Sequence, residues 1–106
     1  MAGEIILEKR ANHWRGMLAD GGHLVLTKTQ LTFLPHRFNI RGKRVIIDLK
    51  DICEILKVNI GFSSEIHVRP KSGQVERFVV WGRDELIEAI NKQIAENRQN
   101  MKLIKV

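Results

Sequence analysis

The residues able to do chemistry are few and scattered. The four histidines, His13, His23, His36 and His67, lack the close spacing that a zinc set requires. His13 and His23 are expected to face each other across a first hairpin. Cys53 follows Ile52 and precedes Glu54 with no cation beside it, so it reads as a structural thiol rather than a reactive one. Ser63-Ser64 lacks a nucleophile elbow, and the chain has no glycine-rich phosphate loop. Asp48, Asp51 and Glu54 stand close in sequence, but a tight turn expected at Asp51 makes them turn and surface residues. No acid–base pair emerges. The pattern points away from an enzyme and from any cofactor or metal.

One run does stand out. His36, Arg37, Arg41, Lys43 and Arg44 follow Pro35 with no acid among them. The chain carries 18 Lys and Arg against 12 Asp and Glu, a net charge of +6. Residues 36 to 44 alone supply four of the formal positive charges. Concentrated charge steers anionic ligands, so this run is the first candidate site. Phe38 and Ile40 alternate with the charges and offer apolar area to an interface. Nucleic acid ranks lower as a partner, because aromatic residues are only 6% of the chain and give little for bases to stack on.

The segment that must hold this loop is Gly22 to Pro35. Leu24 and Leu26 share one face of a first strand, and Leu31 and Phe33 share one face of a second, across a polar turn. Alternation of this kind marks a half-buried antiparallel hairpin. Upstream, Ala11 to Met17 reads as the first strand, and Ala19-Asp20-Gly21-Gly22 as a glycine-rich hairpin turn. Ile5-Ile6-Leu7 reads as a short helix or strand covering one end.

Downstream, Val45, Ile47 and Leu49 point one way and Ile46 and Asp48 the other. Ile52 to Val58 is the next strand, followed by a loop over Asn59 to Ser64. Glu65 to Pro70 follows with Ile66 and Val68 inward, then a turn at Lys71 to Gln74 and a last strand from Val75 to Trp81. Short strands at this spacing predict an all-β barrel or sandwich. From Asp84 the period changes: Leu86, Ile87, Ile90 and Ile94 share one helical face, to about Asn97 or beyond.

Val79 and Trp81 lie opposite Phe78 and Val80 on the last strand. They form a candidate protein interface unless Ile5-Ile6-Leu7 covers them. A chain of 106 residues, 43% of them hydrophobic, suits one domain with a core over about 11 to 97, an N-terminal segment 1 to 10 and a tail 98 to 106. No apolar run approaches the roughly 20 residues of a membrane span. The N-terminus lacks signal-peptide architecture, and one cysteine suits a reducing compartment, so a cytoplasmic protein is expected.

Antiparallel strands closed by one amphipathic helix resemble the pleckstrin-homology superfold, and within it the GRAM family. The resemblance rests on Gly22-His23-Leu24-Val25-Leu26-Thr27, on Leu31-Thr32-Phe33 with the basic end that follows, on Val45 to Ile52, and on Phe78-Val79-Val80 with Arg83 opening the helix. It covers about residues 11 to 97 and is closest in form to small stand-alone bacterial-type members. It implies a mainly β barrel or sandwich capped by a C-terminal helix, and a non-catalytic module binding an anionic membrane lipid or a protein. Attachment would then be peripheral, and a homo-oligomer without a lipid ligand is the alternative. The family's usual headgroup site draws on the first strand-to-strand loop. Here that is Met17 to Gly22, which holds Asp20 and no Lys or Arg.

Overall fold

The computed structural model describes residues 3–36 and 43–105, with side chains through Met101. Seven antiparallel strands and one helix follow in order. They are β1 (Leu7–Arg15), β2 (Leu18–Leu26), β3 (Gln30–Pro35), β4 (Val45–Asp48), a 3-10 turn (Leu49–Asp51), β5 (Ile52–Ile60), β6 (Ser63–Pro70), β7 (Glu76–Val80) and α1 (Arg83–Lys105). The strands form one sheet in the order β4-β3-β2-β1-β7-β6-β5.

The sheet cannot be flat. Phe33 on β3 and Phe78 on β7 are three strand positions apart, roughly 14 Å in an unbent sheet. Their ring centroids lie 5.8 Å apart. The sheet therefore curls until its two halves face each other. His13 of β1 lies against both rings, with centroids at 5.4 and 5.0 Å. Leu24, Leu26, Leu31, Ile66, Val68 and Val80 complete the enclosed core. Helix α1 closes it with Leu86 and Ile90, both buried, and Ile87 and Ile94 packed at the margin. Asp84 and Glu85 in its first turn suit the positive end of the helix dipole and pair with Lys57 and Lys9.

The hairpins expected from alternation form, but three boundaries move. The first strand runs Leu7–Arg15 rather than 11 to 17, because the N-terminal segment pairs along β2 from Leu7 opposite Leu26. The loop expected over 59 to 64 shrinks to Gly61 and Phe62, with Gly61 at φ +59°. The turn expected at Ala19 to Gly22 is strand. The chain reverses instead at Gly16 and Met17, with Gly16 at φ +60°.

Gly22 serves a different purpose. It lies opposite Pro35, and a Cβ there would stand 2.2 Å from the Leu34 carbonyl oxygen and 2.9 Å from the Phe33 ring. Glycine lets β3 press onto β2 at the point where Phe33 enters the core. Gly22→Ala should therefore cost about 1–3 kcal/mol or more, since the obstruction is backbone. Urea unfolding measures it, and an unchanged midpoint would show that the two strands can part freely.

Candidate functional site: the open end of the barrel

The end of the barrel away from the helix is built by the β1–β2 turn and by the chain leaving β3. Strand β2 begins at Leu18, whereas β3 stops opposite Gly22. The β1–β2 hairpin thus projects beyond its neighbour. At its tip Met17 is 94% exposed and Leu18 60% exposed. Arg15 and Asp20 close the base of the tip, with Arg15 Nε donating to Asp20 Oδ2 at 2.5 Å. The hydrogen bond with Asp20 holds the Arg15 guanidinium above its ordinary pKa, against a smaller opposing effect of burial.

The chain leaves β3 at this same end of the barrel, short of the tip. The His36 backbone N–H donates to the Gly21 carbonyl at 3.0 Å, and the His36 ring meets the His23 ring edge-on at 5.5 Å. His36, Lys43 and Arg44 are exposed. Arg37, Phe38, Ile40 and Arg41 lie outside the described residues. The structure thus sets His36, where the basic run begins, against β2 at the same end of the barrel as the apolar tip, while Arg44 at the far end of the run lines a cavity with Leu34 and Ile46. Sequence reasoning misses that tip because it ends the first strand at Met17 and places the turn at Ala19 to Gly22. Its signal was two large apolar residues directly after Gly16, with nothing alternating beyond them.

Histidines placed together by expectation are apart. His13 pairs opposite Asp20 and His23 opposite Arg10, because the turn falls at Gly16 rather than Ala19. His13 is buried, with Nε2 2.8 Å from Glu76 Oε1. Cys53 is exposed rather than buried. It is the unpaired residue of a bulge in the edge strand β5, where Ile52 takes the inward position.

The second candidate surface is the outer side of β5, β6 and β7. Trp81 is 49% exposed, with the Arg10 guanidinium 5.3 Å from its ring centroid. Val79 is half-buried, and the wholly exposed Phe62 shares a shallow hollow with Val79 and Trp81. Ile5-Ile6-Leu7 does not cover this surface. Ile6 donates its N–H to Leu26 at 2.7 Å, and Ile5 instead lines a cavity with Val25, Leu34 and Ile46.

The same side carries a charged cluster that sequence reasoning missed. Glu65 is only 2% exposed although it alternates with the inward Ile66 and Val68. Its Oε1 accepts from Arg77 Nη2 at 3.0 Å and lies 2.9 Å from His67 Nε2. Arg77 also lies over the Trp14 ring at 5.6 Å. Burial pushes the Glu65 carboxyl up, but the hydrogen bonds from His67 and Arg77, with the charge of Arg77, outweigh it. The carboxyl is held below the usual range. No local pattern marks this: the partners lie two residues away along β6 and one strand over on β7.

The fold is pleckstrin-homology-like, a curled antiparallel sheet capped by a C-terminal helix. No family model matches the chain, and no curated protein matches it. Among solved structures it is similar to the C-terminal domain of an unknown protein from Leishmania infantum. The two share 17% identity at a TM-score of 0.75, over 87% of this chain and 84% of that one. At that identity the likeness speaks for the fold alone. No helix among the described residues is long and apolar enough to cross a membrane.

A depressed carboxyl stabilises the fold above the unfolded value, near pH 4.3, and loses that contribution as pH falls through the folded value. Glu65→Gln should therefore lower stability by about 1–3 kcal/mol at pH 7. The gap from the parent protein should narrow below about pH 4. Urea midpoints at pH 7 and pH 3.5 test this, and a gap independent of pH would refute the ionic role.

Proposed function

We propose that this chain is a GRAM-like, non-catalytic module that docks on an anionic membrane surface through the open end of its barrel. The observation that carries the reading is an exposed apolar tip, Met17 and Leu18, at the same end of the barrel as the residue that opens a basic run free of acids, His36. The Arg15–Asp20 pair leaves the tip itself without net charge. Attraction therefore falls to Arg37, Arg41, Lys43 and Arg44.

Magnitudes favour a combined device. Each cation near an anionic surface contributes about 1 kcal/mol, so four give about 4 kcal/mol at most. Alone that is about millimolar affinity. Burying two aliphatic side chains contributes about 3 kcal/mol or more. Together they reach about ten-micromolar affinity, enough for reversible peripheral attachment at a cytoplasmic face. Neither half suffices by itself.

A protein partner, or a second copy of the chain, is the other reading. The exposed Phe62 and Trp81 around one hollow favour it. Flotation with vesicles separates the two. Binding is expected with anionic phospholipid present and absent on neutral vesicles, and it should weaken as salt rises. Arg41→Glu/Lys43→Glu should abolish it, and Met17→Ser/Leu18→Ser should weaken it about tenfold or more. Neither pair should move the melting temperature much. Binding that ignores both pairs sinks the membrane reading. A mass above the monomer that falls on Trp81→Ala would put the protein-contact reading ahead.

A further inference from the structure

Most cations among the residues with described side chains, through Met101, are engaged. Lys9, Arg15, Lys57, Arg69 and Arg77 pair with carboxylates. Arg10 lies over Trp81, and Arg83 donates to the Val58 and Glu65 carbonyls. Lys43 and Arg44 belong to the basic run, and Lys92 is exposed on the helix. Lys28, Lys50, Lys71 and Arg98 remain, and no carboxylate among the described residues pairs with any of them.

These four come from four separate segments that meet at one corner. The Leu49 N–H donates to the Thr29 carbonyl at 2.9 Å, and the Lys71 N–H to the Asp51 carbonyl at 2.7 Å. Asn97 Nδ2 donates to the Lys28 carbonyl at 2.7 Å. The β2–β3 turn, the 3-10 turn, the β6–β7 turn and the second half of α1 are thereby tied together. Lys50, Lys71 and Arg98 line one hollow of about 380 Å³, with Leu49, Ile94 and Met101. The nearby carboxylates have other partners: Asp48 accepts from Gln30 at 3.2 Å and Asp51 from Ser72 at 3.4 Å.

Three unpaired like charges around one hollow repel each other, and an anion among them relieves that repulsion. A bare inorganic ion would leave the apolar lining uncovered. The hollow lies within the size range of small-molecule sites, about 300–1,000 Å³. We infer that this corner binds an anionic amphiphile. A phosphate or carboxylate head is held by Lys50, Lys71 and Arg98, and its alkyl or aryl body lies on Leu49, Ile94 and Met101. Met101 suits an adaptable apolar wall. The site itself does not depend on the membrane reading; only the source assigned to its ligand rests on it. The β2–β3 turn lies at the opposite end of β2 from the Met17 tip, about 27 Å along a nine-residue strand. A surface docked at the tip therefore does not reach the corner, so the ligand comes from solution rather than from that bilayer.

The probe is dodecyl phosphate below its micelle concentration, followed by calorimetry and amide chemical shifts on the full chain. Saturable one-to-one binding is expected, with shifts confined to residues 28–29, 49–50, 71 and 94–101. Lys71→Glu/Arg98→Glu should weaken it about tenfold or more. Lys50→Gln should weaken it less, and Arg41→Glu/Lys43→Glu should leave it unchanged. Should the double reversal unfold the protein, Lys50→Gln and the parent shift map decide. Dodecanol binding equally well would remove the role of charge, and inorganic phosphate binding equally well would remove the role of the apolar lining. An absence of saturable binding, or full binding in the folded double variant, overturns the site. Corner shifts caused by anionic vesicles would overturn its assignment to a ligand from solution.

Discussion

The contact of Phe33, His13 and Phe78 is the constraint on which the rest of the molecule depends. Three rings from β3, β1 and β7 meet only if the sheet folds over on itself. Once it does, the β3 and β7 sides enclose Leu24, Leu31, Ile66 and Val68, and one end of the enclosed space is left for α1 to cover through Leu86 and Ile90. Gly22 belongs to the same constraint, since it lets β3 close onto β2 where Phe33 turns inward. Burial of each large apolar side chain here contributes about 1.5–3 kcal/mol. The core is thus a sufficient reason for the curl, with no ligand needed to hold it.

Closing the core in this way separates the surfaces. The helix takes one end, which leaves the β1–β2 tip and the start of the basic run at the other. The second half of the helix meets three turns at a corner remote from that tip, and there unpaired cations gather over an apolar lining. The outer side of β5 to β7 carries Phe62 and Trp81 and, on the same side, the Glu65–Arg77–His67 cluster. These three surfaces draw on different residues, so substitutions at one leave the others intact.

Much of the architecture was legible because alternation and helical period are local signals. Leu24, Leu26, Leu31 and Phe33 read correctly as inward, as did Phe78, Val80, Leu86 and Ile90. What was not legible depended on contacts across the sheet. Two adjacent glycines look like a turn, yet Gly22 is needed for a close approach that only the position of β3 reveals. Glu65 looks like a solvated residue until Arg77 arrives from the next strand. Cys53 reads as a structural thiol because no cation adjoins it in sequence, yet it is exposed as the unpaired residue of a bulge on an edge strand. The basic run was visible because it is contiguous. The corner cations, spread from Lys28 to Arg98, were not.

The most direct test of the account is where the molecule meets a bilayer. Cys53→Ser removes the one native thiol, and a nitroxide is then attached singly at Met17→Cys, Phe62→Cys or Arg98→Cys. Collision of each label with oxygen and with a water-soluble relaxer is measured on anionic vesicles. The account predicts that the label at 17 becomes accessible to oxygen and shielded from the aqueous relaxer, while those at 62 and 98 stay in water. A label at 62 or 98 entering the bilayer while 17 remains in water would contradict it.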